Sequence, residues 1–86
     1  MFEVTDKYIY LVVNDKRIGY ILYDEQEDKI IGSYIFVDET ERGKGYAQKL
    51  VEYFTEFSKT KDKKIKPVCP VIKRLLEASY PEFIYR

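Results

Sequence analysis

Val37-Asp38-Glu39-Thr40-Glu41-Arg42-Gly43-Lys44-Gly45-Tyr46-Ala47 is the stretch on which the reading of this chain turns. An apolar strand pattern enters it and an amphipathic helix pattern leaves it. Its two glycines, with Arg42 and Lys44 beside them, predict a cationic turn with exposed backbone. Unpaired N–H groups, the positive end of a helix dipole and little side-chain bulk are what an anion site requires. A strand-to-helix loop that needs glycine only for its backbone is the plain alternative.

Working back from that turn, three strands are expected. Tyr8–Val13 is rich in β-branched and aromatic residues, and Asn14-Asp15-Lys16 follows as a tight turn. Arg17–Tyr23 makes the second strand, Asp24–Asp28 a charged turn, and Lys29–Val37 the third strand. Connections this short produce an antiparallel meander. On the third strand, strict alternation puts Ile31, Ile35 and Val37 on one face and Ile30, Tyr34 and Phe36 on the other. Large residues on both faces suit a sheet covered twice, or one left open to a ligand or a second subunit, so a homodimer is among the expectations.

Working forward, Ala47, Leu50, Val51, Phe54 and Phe57 recur at helical spacing. Lys64–Cys69 then reads as a short strand, and the right-handed crossover rule sets it parallel to the third. Pro70 opens a second helix, and Tyr80-Pro81 stops it. Glu82–Arg86 forms a tail, read as extended along the sheet. The whole is one α+β domain over 1–86, in the order β-β-β-α-β-α. Ligands of open sheets bind beyond the carboxyl ends of parallel strands. Val37 and Cys69 occupy two such ends, so the glycine turn and Cys69 are expected to be close.

Composition narrows the classes of function. Fifteen basic residues balance fifteen acidic ones, which argues against a general nucleic-acid binder. No histidine and one cysteine exclude a structural zinc site of the usual kind and a Ser-His-Asp triad, so no metal site is expected. Met1–Asp6 has no apolar run of the signal-peptide kind, no segment is apolar over the roughly 20 residues a membrane helix needs, and a lone cysteine suits a reducing compartment. The expected location is the cytoplasm.

Arg42-Gly43-Lys44-Gly45-Tyr46-Ala47 resembles the acetyl-CoA signature of the GNAT superfamily of acetyltransferases, Gln/Arg-x-x-Gly-x-Gly/Ala. Arg42, Gly45 and Ala47 fill its fixed positions, and the strand and helix order around it is that of a GNAT core. The chain is similar to the minimal single-domain group, which carries Pro-x-Cys after the strand that follows the signature helix. Here this is Pro67-Val68-Cys69, with Lys73 after it. Relatives often have His-Thr on the third strand where this chain has Tyr34-Ile35.

The resemblance implies acetyl-CoA as cosubstrate and transfer of its acetyl group to an amine, on a small molecule or a protein lysine. The N–H groups from Gly43 to Ala47, including those of Lys44 and Tyr46, would hold the pyrophosphate, with charge from Arg42 and Lys44. Lys73 would reach a phosphate, and the lysines from Lys59 to Lys66 would meet the 3′-phosphate or simply be solvated. The Val37 N–H would polarise the thioester carbonyl. Cys69 is open between nucleophile, proton donor and packing. Glu39 or Asp38 would accept the acceptor's proton through water, unless they are merely solvated, and Tyr34 would stand in for the family's histidine as donor. The competing class is a module of the same fold that binds CoA or acetyl-CoA without catalysis.

Overall fold

The computed structural model describes every residue from Met1 to Arg86. Five strands form one sheet in sequence order: β1 Phe2–Val4, β2 Tyr8–Val13, β3 Lys16–Glu25, β4 Lys29–Val37 and β5 Lys64–Pro67. The first four are antiparallel to their neighbours, and β5 lies parallel to β4. Helices α1 (Tyr46–Thr60) and α2 (Pro70–Ser79) follow the glycine turn and β5. Asn14 and Asp15 both take positive φ at the β2–β3 turn, as short polar side chains there allow.

The expected meander is present, with one strand more. β1 is too short to announce itself, but it pairs with β2 from Phe2↔Leu11 to Val4↔Ile9. Its Phe2 ring stacks on Tyr53 of α1 at 4.2 Å. The tail makes a single 3₁₀ turn, Pro81–Phe83, before Ile84 bridges to Ile65 and the Tyr85 N–H reaches the Ile65 carbonyl at 2.7 Å.

Both helices cover one face of the sheet. The core joins Ile9, Ile21, Ile30, Leu50, Val51, Phe54, Ile65, Ile72 and Leu76, all fully buried. The faces of β4 differ from strict alternation. Ile30 and Ile35 both belong to this core although five residues separate them. The register shifts between Leu22↔Tyr34 and Tyr23↔Gly32, so Ser33 is an extra residue and forms a bulge. Ile31 is thereby turned to the face opposite Ile35 and Val37, because one inserted residue reverses every side chain beyond it.

At Gly32 the helices come closest to the sheet. A Cβ there would lie 3.2 Å from the Phe54 ring and 3.4 Å from Ile72 Cδ1. Gly32→Val is therefore expected to push both helices outward and cost about 1–3 kcal/mol, read from the urea midpoint. A midpoint equal to wild type would contradict this packing.

The far end of β3 is tied to the loop after α1. Lys63 Nζ donates to Glu25 Oε2 at 2.8 Å, and Lys61 Nζ lies 3.8 Å from Oε1. The Lys63 hydrogen bond is the largest cause holding the Glu25 carboxyl below its ordinary pKa. A depressed folded pKa contributes stability above the unfolded value, and that contribution disappears as pH falls through the folded one. Lys63→Met should lower the urea midpoint at neutral pH. The difference from wild type should shrink in acid, below the usual glutamate range of about 4.3, to what the Lys63 hydrogen bond to the Gln26 carbonyl at 2.8 Å contributes.

Candidate functional site

The turn between β4 and α1 is built to leave donors free. Asp38 caps the short 3₁₀ turn Glu39–Glu41, with its carboxylate accepting from the Thr40 N–H at 3.4 Å. The chain then passes through Gly43 at φ 83° and Gly45 at φ 79°, left-handed conformations that glycine adopts without steric cost. Gly45 is the N-cap of α1 and has no side chain to cap it, and no acidic residue occupies the first turn. The first N–H of this segment with a backbone acceptor is that of Lys49, which reaches Gly45 O at 3.1 Å. The N–H groups of Gly43, Lys44, Gly45, Tyr46, Ala47 and Gln48 have no protein acceptor. A run of free amides at the positive end of a fifteen-residue helix is an anion cradle.

The cradle opens onto an unpaired edge of β4. Pairing with β5 ends at Gly32↔Pro67, where Gly32 O accepts from the Val68 and Cys69 N–H groups at 2.9 and 3.1 Å. Beyond that point no strand continues on this side of β4. Asp38 N–H bonds to Ile18 O at 2.7 Å, which makes Val37↔Gly19 a non-hydrogen-bonded pair. The Val37 N–H and C=O therefore point away from β3 and into the opening, as do those of Ile35. Arg42 Nε donates to the Val37 carbonyl at 3.0 Å, which anchors the guanidinium at the strand end.

Cradle and edge line one cavity of about 340 Å³. Its walls include Tyr34 to Val37 of β4, Glu41 to Gly43 of the turn, Gly45 to Ala47 at the helix start, and Val71 in the first turn of α2. Among the residues singled out in the sequence, Tyr34, Val37, Arg42, Gly43, Gly45, Tyr46 and Ala47 are thus brought together.

Other expected residues lie elsewhere. Lys44 turns its ammonium to Glu41 Oε1 at 3.1 Å instead of toward the cavity. Glu39 is exposed on the 3₁₀ turn, and Lys73 is exposed on α2. Cys69 is a buried core residue at the N-cap of α2, 5 % exposed and outside the cavity wall. The register also separates Cys69 from the glycine turn. Cys69 is bonded to Gly32, five residues before Val37, or about 16 Å at 3.3 Å per residue. The expected closeness of the two strand ends fails because β5 is the shorter strand. The cavity nevertheless reaches Val71, two residues beyond Cys69.

Sequence reasoning missed Ile35, Phe36, Glu41 and Val71. Ile35 was discoverable from its alternation with Val37. Choosing Glu41 over Glu39 required the conformation of the 3₁₀ turn.

Comparison with known proteins agrees with this geometry. The family model described as GCN5-related N-acetyl-transferase matches residues 7–84. A GCN5-like protein of Staphylococcus aureus, solved in solution by NMR, superposes with a TM-score of 0.77 at 20 % identity, over 99 % of this chain and 87 % of that one. The ribosomal-protein-alanine N-acetyltransferase of Brucella melitensis biovar Abortus 2308 superposes with a TM-score of 0.69 at 16 % identity, over 84 % of this chain and 59 % of that one. At such identities the two structures speak for the fold. No curated protein sequence matches this chain.

Proposed function

This chain belongs to the GCN5-related N-acetyltransferase family, and we propose that it binds acetyl-CoA along the β4–α1 cavity and transfers the acetyl group to an amine. The observation that carries this reading is the alignment of the free amides from Gly43 to Gln48 with the unpaired edge of β4. The amides receive the pyrophosphate, with Arg42 adding charge. The pantetheine arm carries two amides, and an open strand edge offers N–H and C=O groups at a matching spacing.

The length of the arm locates the acyl group. About fourteen bonds separate the phosphate from the sulfur, roughly 16 Å when extended, since three backbone bonds span about 3.3–3.6 Å. That equals about five residues of strand. Counted back from the turn, the thioester lies beside the Ser33 bulge, where β5 ends. On this count the Val37 N–H serves an amide of the arm, and an N–H at the bulge polarises the thioester carbonyl. The end of β5 then borders the acyl group, with Cys69 buried behind it in the core.

The transfer is direct. The neutral amine nitrogen attacks the thioester carbon, the C–S bond breaks, and the CoA thiolate leaves. The new ammonium loses its proton to solvent water, because Glu39, on the 3₁₀ turn beyond Val37, is too far along the chain from the bulge to take it, and the thiolate gains one from Tyr34 or from solvent. Burial of Cys69 favours direct transfer over a covalent route through its thiol. Intact-mass measurement after mixing with acetyl-CoA should show no acetyl adduct. An adduct on wild type that Cys69→Ala removes would contradict direct transfer.

One observation favours a second reading, a binding module without turnover. The only carboxylate on the cavity wall, that of Glu41, is held by Lys44. The two readings separate in one assay. Acetyl-CoA should raise the melting temperature in both, whereas only the enzyme releases free CoA faster when an amine acceptor is added. Absence of thermal stabilisation by CoA and acetyl-CoA would refute both.

A further inference from the structure

The face of the sheet that carries no helix is lined with rings. Register and alternation set Tyr8, Tyr10, Tyr20, Leu22, Tyr34 and Phe36 on it. Tyr20 sits at the centre, 5.4 Å from Tyr8, 6.3 Å from Tyr34 and 5.4 Å from Phe36. Burial, followed by the neighbouring hydroxyls of Tyr34, Tyr8 and Tyr10, pushes the Tyr20 phenol up from its usual pKa. Tyr34 and Phe36 are 49 % and 36 % exposed here, and both also line the β4 cavity. The aromatic face is therefore continuous with the cavity, and it adjoins β4 at the bulge.

The charges bordering the face select among amines. Its upper end is already cationic: the Arg17 guanidinium lies 4.0 Å from the Tyr10 ring, and that of Arg42 lies 6.0 Å from the Phe36 ring. Of the two acidic residues that the register places on this face, Glu3 is bound by Arg17 at 2.7 Å. Asp24, opposite Ile31, accepts only from Gln26 Nε2, at 3.2 Å, and has no cationic partner. An acceptor's own ammonium can use Asp24, which leaves no carboxylate on this face for a second cation. An aromatic body gains ring contacts across Tyr20 and Tyr34 and needs no counter-charge. A polyamine would meet two guanidinium groups, the lysines that the register sets on this face at Lys29, Lys64 and Lys66, and one carboxylate without an ion pair.

We propose that this aromatic face is the acceptor platform, and that it takes a primary amine carried on an aromatic body. The proposal rests on the acetyl-transfer reading for the chemistry, but the platform is tested by binding alone. The full chain with labelled tyrosine rings is titrated with 2-phenylethylamine and with spermidine, each with and without CoA. The expected result is saturable movement of the Tyr20 and Tyr34 ring signals by 2-phenylethylamine, at an affinity roughly tenfold above that of spermidine. Tyr20→Ser should weaken 2-phenylethylamine binding several-fold and leave the acetyl-CoA-induced rise in melting temperature unchanged. If that variant does not fold, Tyr8→Ser, at the border of the same patch, takes its place.

Equal or tighter binding of spermidine would overturn the proposal. So would signals that move only away from this face, or an unchanged affinity in the variant. A protein that fails to bind acetyl-CoA shows no rise in melting temperature, so failure of the acetyl-transfer reading is seen separately from failure of the platform.

Discussion

Gly45→Glu is expected to abolish the thermal stabilisation that acetyl-CoA gives the wild-type protein. Gly45 holds φ 79° at the N-cap of α1, and the space where its Cβ would stand is open to 4 Å. The variant therefore meets no clash, and the left-handed conformation costs it only about 1–2 kcal/mol. It should fold. The new carboxylate, however, stands among the free amides that receive the pyrophosphate, where it takes their hydrogen bonds and repels the phosphates. Acetyl-CoA at a hundred times its dissociation constant stabilises the native state by about 2.7 kcal/mol. For a domain of this size that is a shift of roughly 10–20 °C. Gly45→Ala carries the same backbone strain without the charge and should keep part of the shift. Equal shifts in the two variants would show that the turn does not hold the anion.

Phe54→Ala is expected to remove a large share of the protein's folding free energy. Phe54 is fully buried, packs 6.2 Å from the Tyr23 ring, and fills the space over Gly32. Phe→Ala truncation in a core costs about 3–5 kcal/mol. At about 0.05–0.15 kcal/mol per residue, a chain of this length has roughly 4–13 kcal/mol in all. Near-UV circular dichroism should show the loss, and saturating acetyl-CoA should recover part of it by mass action. A loss below about 1 kcal/mol would mean that the site collapses around the cavity, contrary to the close packing of both helices on β4.

Features written in local patterns were legible in the sequence. β2, β3 and β4 follow from runs of β-branched and aromatic residues, and α1 from its apolar stripe. The glycine turn follows from Gly43 and Gly45, whose positive φ values few other residues would accept. Features decided by partners distant in sequence were not. β1 is three residues long and is fixed by pairing with β2 and by Phe2 stacking on Tyr53. The bulge at Ser33 has no composition of its own, yet it decides that Ile31 and Ile35 face opposite ways. The position of Cys69 depends on where β5 stops relative to β4, a difference in strand length that Pro67-Val68-Cys69 does not disclose. Which glutamate lines the cavity was likewise hidden, since Glu39 and Glu41 differ only by their place on one 3₁₀ turn.

The most direct measurement is an amide chemical-shift titration of the uniformly labelled chain with acetyl-CoA. Saturable shifts should be largest at the N–H groups of Gly43, Gly45, Tyr46 and Ala47, and should extend along β4 through Val37 and Ile35 to the Ser33 bulge. Shifts confined to the polar pocket around Asp28, Lys63 and Arg86, or no saturable shifts at all, would contradict the assignment of the β4–α1 cavity to acetyl-CoA.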